Sequence, residues 1–310
     1  MINNFKGCIY GLAIGDALGA PVEFLNIENI LRKYGQNGIT DFTNYMDFGL
    51  GTYTDDTQMS VAIARALIES GHEDLETIMH TISTRFVEWL DSPENNRAPG
   101  RVCISGCFRL KKGLHWSESG GTWSKGCGSA MRSAPIGLFF YDDSEKLIEV
   151  AKASSIITHR HPTAQAAAVG TAFLVALAIN KTEPDMIIDE LCKITEKISL
   201  EFVEKIRQVN KVLASSPIKS FKILGDGWVG EEAVACALYC FLKSPRDYRK
   251  TVLTAVNCNG DSDSIGCIAG AISGAYNGIE NIPQKWNDNV ENSKFLCEIA
   301  EKLYQSKMQK

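Results

Sequence analysis

Strand signals are scarce in this sequence of 310 residues: short apolar runs such as Ile136–Tyr141 have no alternating partner at hairpin spacing. No Pro/Gly/Ser linker, low-complexity tract or single-sign charge run divides the chain, so one domain over 1–310 is expected. Long apolar runs are missing too. The most apolar segment, Ala164 to Ile179, falls short of the ~20 residues of a membrane span, and Gln165 and Thr171 interrupt it. It reads as a buried core helix, and no membrane partner is expected. Charge of one sign is in small excess, 32 Lys+Arg against 37 Asp+Glu for a net −5. That excludes broad nucleic-acid binding through a phosphate footprint but not a small phosphorylated ligand.

The ten cysteines lack the arrangements that would give them a framework. There is no CxxC, no His at zinc-finger spacing, and no secretory signal ahead of them, since Met1-Ile2-Asn3-Asn4 runs straight into a helical pattern. Free cysteines packed as small apolar groups in a reducing cytoplasm are the expectation. Cys103/Cys107 and Cys236/Cys240 are spaced as pairs on one helical face.

What is present is helical periodicity, legible over Val61–Leu67, Leu75–Leu90, Leu147–Ser155, Met186–Ile198, Phe202–Leu213, Glu232–Leu242 and Phe295–Tyr304. An all-α chain is expected, with long loops at about 35–56, 91–130 and 214–231. Glycine recurs every fourth residue twice, at Gly7, Gly11, Gly15 and Gly19 and at Gly266, Gly270, Gly274 and Gly278. Glycine inside a helix costs ~1 kcal/mol relative to alanine, so both rows need a compensating gain. A ridge made of glycine becomes a groove that lets another backbone approach, which places both helices in close packing at the centre of the fold.

Two acidic clusters stand at helix starts. Thr54-Asp55-Asp56-Thr57 precedes the apolar pattern of Met59, Val61 and Ala62, and Asp55 with Gln58 resembles a capping box. Gly260-Asp261-Ser262-Asp263-Ser264 opens the second glycine-ridged segment. Capping accounts for one acid and one hydroxyl in each but not for the shared layout. If the two helix starts converge, Asp55, Asp56, Asp261 and Asp263 repel one another unless they protonate or bind cations. Hard oxygen donors of this kind suit Mg²⁺ or Mn²⁺, and four carboxylates with two hydroxyls suffice for two ions.

Ser124-Lys125-Gly126-Cys127-Gly128-Ser129 is a glycine-rich turn whose N–H groups could cradle phosphate oxygens, without the order of a Walker A loop. Thr158-His159-Arg160-His161-Pro162 carries two imidazoles at i,i+2, which is not the spacing of a helical metal pair.

In order along the chain, these segments resemble the ADP-ribosylglycohydrolase family. The matching stretches are Gly11 to Gly19 continuing to Pro21-Val22-Glu23-Phe24, Tyr53 to Gln58, Lys125 to Arg132 with Pro135, Thr158-His159, and Asn259 to Ser264. The resemblance implies a compact orthogonal helical bundle with a binuclear Mg²⁺ (or Mn²⁺) centre. It implies Thr54, Asp55, Asp56, Asp261, Asp263 and Ser264 as metal ligands, Glu23 at the reaction centre, Ser124 to Ser129 on the diphosphate, and His159 facing the ADP-ribose. Cys127 stands where many members carry Asn, and Ser264 replaces a frequent Thr while keeping the hydroxyl.

The implied activity is Mg²⁺-dependent hydrolysis of the bond between ADP-ribose and an acceptor, foremost arginine on a protein, by a cytoplasmic monomer. Hydrolysis at another ADP-ribosyl linkage and a catalytically silent ADP-ribose-binding relative are the alternatives. A prenyl-diphosphate synthase would need DDxxD, and Asp55-Asp56-Thr57-Gln58-Met59 lacks its last acid.

Overall fold

The computed structural model describes residues 1–309. The chain begins with α1 (Ile2–Gly19), α2 (Ile27–Tyr34), α3 (Asp55–Ser70) and α4 (Leu75–Asp91). It continues through α5 (Arg101–Lys111), α6 (Trp116–Ser119), α7 (Ala134–Phe139), α8 (Ser144–Ile156) and α9 (Pro162–Ile179). Then follow α10 (Ile187–Thr195), α11 (Leu200–Val212), α12 (Pro217–Leu224), α13 (Gly230–Lys243) and α14 (Tyr248–Val256), and finally α15 (Ser262–Asn277), α16 (Gln284–Asn289) and α17 (Ser293–Met308). Among the described residues there is no sheet, and extended pairing is limited to single bridges at Asn44–Leu50, Gly121–His159 and Gly126–Val229. The fold is the expected all-α one.

The two glycine rows meet. Gly7 faces Gly274, Gly11 faces Gly270 and Gly15 faces Gly266, so α1 and α15 run antiparallel with their backbones in contact. A Cβ on any of these glycines would fall inside the facing carbonyl. Close approach of two central helices thus offsets their lost helix propensity. Gly278 departs from the row: it ends α15 with φ 82°. Tyr248 of α14 seals the pair from the side, its hydroxyl donating to the carbonyl of Gly11 at 3.1 Å.

Helix α9 gains Pro162 and Thr163 over the apolar run read from the sequence and so becomes long enough to cross a membrane by length and composition. The fold buries 89% of it, as expected for a core helix. All ten cysteines are free, and eight of them are buried.

The run from Ile136, which offered no strand partner in the sequence, lies in the short helix α7, with Pro135 in its first turn and Ala134, Ile136, Leu138 and Phe139 buried. Two local expectations need correction, the extent of the long loops and the capping box. The segment 91–130 is not all loop, since α5 buries Cys103, Gly106 and Cys107 on one face, and 214–231 holds α12 with Pro217 in its first turn. The capping box at Asp55 is absent: Thr54 caps α3 by accepting from the Asp56 N–H, and Gln58 donates instead to the carbonyl of Glu94 at 3.0 Å.

Candidate active site

The antiparallel pairing of α1 with α15 decides where the second acidic cluster lies. The C-terminal end of α1 abuts the N-terminal end of α15, with Gly19 against Ser262 and Asp263. A 3₁₀ turn over Ala20–Val22 then returns the chain so that Glu23 meets this helix start. One carboxylate oxygen from each of Glu23, Asp261 and Asp263 lies within 4.8 Å of the others.

Helix α3 joins them through Asp16, a carboxylate in the middle of α1. Asp16 accepts from the Thr54 N–H at 2.9 Å, the Thr54 hydroxyl at 2.9 Å, the Thr57 N–H at 3.0 Å and the Thr57 hydroxyl at 2.6 Å. It therefore docks the first turn of α3 against α1. The Thr54 hydroxyl also lies 3.5 Å from Asp263, linking the two clusters directly. The convergence that sequence spacing left open is present.

Asp16 received no role from the sequence, although an acid inside a glycine-ridged apolar helix was the available signal.

Capping accounts for little of the second cluster. Asp261 occupies the N-cap of α15 without making a side-chain cap bond. Its carboxylate instead accepts a hydrogen bond from the Cys127 thiol at 2.8 Å. Asp263 accepts from the Ser264 N–H at 3.0 Å.

Electrostatics set the character of the cluster. Burial, then the neighbouring Asp263, pushes Asp16 up to about 8. Burial pushes Asp55 up to about 7, opposed by the Gly100 N–H and reinforced by Asp263. Glu23 rises to about 10 through burial and then through Asp263, Asp261, Asp55 and Asp16. Asp56 and Asp261 are both raised well above the carboxylate range, by burial first and Asp263 second. Among the described residues no Lys or Arg pairs with any of these acids. Asp56 Oδ2 is buried and has no hydrogen-bond partner. Unpaired buried carboxylate oxygens are costly, and hard divalent cations are the partners that fit this donor set.

Glu23, Asp55, Asp56, Asp261 and Asp263 form one wall of a cleft of about 520 Å³ that Ser124, Gly126, Cys127, Gly128 and His159 also line. The loop is fastened behind by backbone bonds: Gly230 N–H donates to the Lys125 carbonyl at 2.8 Å and Cys127 N–H to the Trp228 carbonyl at 3.3 Å. Lys125 turns away from the cleft and bridges Glu201 at 2.5 Å and Glu231 at 2.7 Å. Ser129 is also turned away, its hydroxyl donating to the Ala164 carbonyl at 3.2 Å. Two expected ligand contacts are thereby corrected: these side chains anchor the loop, because carboxylates and a helix carbonyl already hold them.

Arg132 supports the loop from inside the core and was not assigned a role from the sequence. It donates to the Gly128 carbonyl at 2.7 Å, the Ser154 carbonyl at 3.0 Å and the Thr158 hydroxyl at 2.8 Å. Thr158 in turn hydrogen-bonds His159 Nδ1 at 2.8 Å. Burial, with Arg132 close by, lowers His159 to about 3, so its imidazole is neutral and faces the glycine loop as a hydrogen-bonding group. At the mouth, Phe24 and Trp228 stack with centroids 5.2 Å apart and rings inclined by 20°.

A helical chain that gathers acids at two helix starts beside a glycine loop matches a known family. The family model described as ADP-ribosylglycohydrolase matches residues 1–310, and the chain belongs to that family of glycosidic-bond hydrolases. An uncharacterized protein of Archaeoglobus fulgidus is 34% identical over 99% of this chain and 98% of its own length. ADP-ribosylarginine hydrolase Tri1 of Serratia proteamaculans is 25% identical over 98% of this chain and 79% of its own. Among solved structures, an ADP-ribosylglycohydrolase-related protein complex matches with a TM-score of 0.79 at 24% identity, over 99% of both chains. That last likeness is one of fold.

Proposed function

We propose that this chain removes ADP-ribose from arginine side chains of proteins in the cytoplasm, as a monomer, with two Mg²⁺ or Mn²⁺ ions held by Thr54, Asp55, Asp56, Asp261, Asp263 and Ser264. The observation that carries this reading is the juxtaposition of two unpaired acidic helix starts, with Asp56 Oδ2 buried and unpartnered. Bound there, the ions supply positive charge that offsets the carboxylate repulsion and orients ribose hydroxyls.

The chain's own residues do the rest. The backbone of Gly126 to Gly128 and the Ser124 hydroxyl bind the diphosphate, His159 orients the ADP-ribose, and Cys127 holds Asp261. Glu23 takes a proton from a water molecule whose oxygen bonds to the anomeric carbon. The guanidino nitrogen departs with the electron pair of the broken bond and recovers that proton, in an oxocarbenium-like displacement. The arginine acceptor rests on family resemblance and on the similarity to the Serratia ADP-ribosylarginine hydrolase.

The test is to offer proteins ADP-ribosylated at arginine, at serine and on free small molecules, and to measure ADP-ribose released with Mg²⁺, with Mn²⁺ and with EDTA. Release from the arginine substrate that stops in EDTA and in Asp261→Ala is expected. Full activity in EDTA overturns the metal assignment, and release only from another linkage overturns the acceptor. Glu23→Gln should bind ADP-ribose and fail to turn over.

A further inference from the structure

The residue that follows Glu23 has a strained backbone. Phe24 has a φ of 66°, in the left-handed region that an aromatic residue seldom occupies. Its N–H donates to the Gly260 carbonyl at 3.0 Å, and the Gly260 N–H donates back to the Leu25 carbonyl at 3.1 Å. On one side the Glu23 N–H is held by the Gly19 carbonyl at 3.0 Å. On the other, the Asn259 side chain accepts from the Ile27 N–H at 2.9 Å. The chain is thus fixed before and after Phe24, and the torsion at Phe24 sets where Glu23 stands relative to Asp261, the neighbour of Gly260.

Burial does not hold the Phe24 side chain, which is 67% exposed. Its ring lies on the Trp228 indole, with centroids 5.2 Å apart and planes inclined by 20°. The segment bearing Trp228 is itself anchored: the Trp228 carbonyl accepts from the Cys127 N–H at 3.3 Å, and the Asp226 carbonyl accepts from the Asp261 N–H at 2.9 Å. The indole edge packs on Gly260, where an added Cβ would come within 2.9 Å of Trp228 Nε1. Three segments, carrying Glu23, Asp261 and Trp228, therefore meet at one aromatic stack. Such a stack contributes beyond the area it buries. A turn of Phe24 to negative φ would part the rings or break its N–H bond to Gly260.

We propose that Trp228 is a positioning residue for Glu23. By stacking on Phe24 it holds the left-handed torsion that keeps the Glu23 carboxylate within 4.8 Å of Asp261 and Asp263. The proposal rests on the reading that Glu23 handles the proton in hydrolysis. Neither ring has to touch the reacting atoms for this.

Trp228 is 41% exposed, so its removal leaves the core intact. Trp228→Ala should lower kcat about 10- to 100-fold, the scale of a misplacement of about 1 Å, with KM and the affinity for ADP-ribose unchanged. Trp228→Phe keeps a flat ring and should restore most of the rate. Substitutions at Phe24 separate torsion from contact. Phe24→Ala loses the stack and keeps the strain, so it should be as slow as Trp228→Ala. Phe24→Gly loses the same ring but adopts positive φ freely, so it should turn over about 10-fold faster than Phe24→Ala. In the Phe24→Gly background, Trp228→Ala should cost nothing further.

A readout free of turnover is amide hydrogen exchange. The Gly260 N–H should exchange faster in Trp228→Ala than in the native protein, while the Thr54 and Thr57 N–H groups on Asp16 keep their rates. Native exchange at Gly260 in Trp228→Ala, equal turnover in Phe24→Gly and Phe24→Ala, or a raised KM at native kcat overturns the proposal. If the native protein frees no ADP-ribose from any substrate, the hydrolase reading fails, while the exchange experiment still decides whether Trp228 holds the segment next to Glu23.

Discussion

The Thr57 hydroxyl donates to Asp16 at 2.6 Å, across 41 residues of chain. Thr54 adds two more donors to the same carboxylate, and the Thr57 N–H adds another. Asp16→Ala would leave these buried donors without an acceptor, and a loss of about 2–5 kcal/mol is expected. Urea unfolding in EDTA measures this without involving catalysis. A loss below about 0.5 kcal/mol would contradict the docking role of Asp16.

The glycine rows make a prediction whose sign opposes local propensity. Gly266→Ala should favour the helix by ~1 kcal/mol if propensity ruled. Because its Cβ would fall inside the Gly15 carbonyl, a net destabilisation of about 1–3 kcal/mol is expected instead. Gly35→Ala is a control of a different kind: no atom lies within 4 Å of its Cβ, but its φ of 89° strains any side chain. Chemical denaturation of the three proteins compares overpacking with backbone strain.

Cation binding should appear as stability. A ligand that binds only the folded state at 100 times its dissociation constant adds about 2.7 kcal/mol, so Mg²⁺ should raise the thermal midpoint of the native protein. Asp56→Asn should abolish that rise and yet be at least as stable as the native protein in EDTA, since it removes one of the mutually repelling acids. Calorimetry with Mg²⁺ checks the first part, and thermal melts in EDTA check the second.

The pH dependence of the chelated protein follows from the raised carboxyl groups. Asp55, at about 7, and Asp16, at about 8, hold protons in the folded state that the unfolded chain releases near the ordinary aspartate value of 3.8. The folded state binds more protons across that window, so stability is greatest at its acid end. It falls as pH rises from about 4 towards 8, by up to ~1.4 kcal/mol per pH unit for each group. Mg²⁺ should flatten the decline and release protons on binding, which calorimetry in buffers of different ionisation enthalpy detects. Stability in EDTA that rises between pH 5 and pH 8 would refute the assigned direction.

Much of the fold was legible because its signals are local. Apolar spacing marked the long amphipathic helices, and the alanine-rich core helix α9 was plain from composition. Short helices escaped: α7 is apolar on all sides and carries no period, and α5 and α12 sit among turn-rich stretches where packing outweighs propensity. At the site, residue types and order singled out both acidic clusters, the glycine loop and His159, which the fold gathers at one cleft. Side-chain direction could not be read, which is why Lys125 and Ser129 looked like ligand contacts when Glu201, Glu231 and the Ala164 carbonyl hold them.

The sequence alone determined which groups are available: two acidic helix starts, a glutamate after a short turn, and two glycine rows at a fourfold spacing. Only tertiary structure decided that they meet. Glycine facing glycine lets α1 and α15 touch along their backbones, and the antiparallel register brings Asp261 and Asp263 to the end of α1. Asp16 then draws α3 to the same place through four hydrogen-bond donors. The physical reason is range: capping and periodicity act within a few residues and leave a trace in sequence, whereas carboxylate repulsion and backbone contact depend on distances that only the packed chain sets.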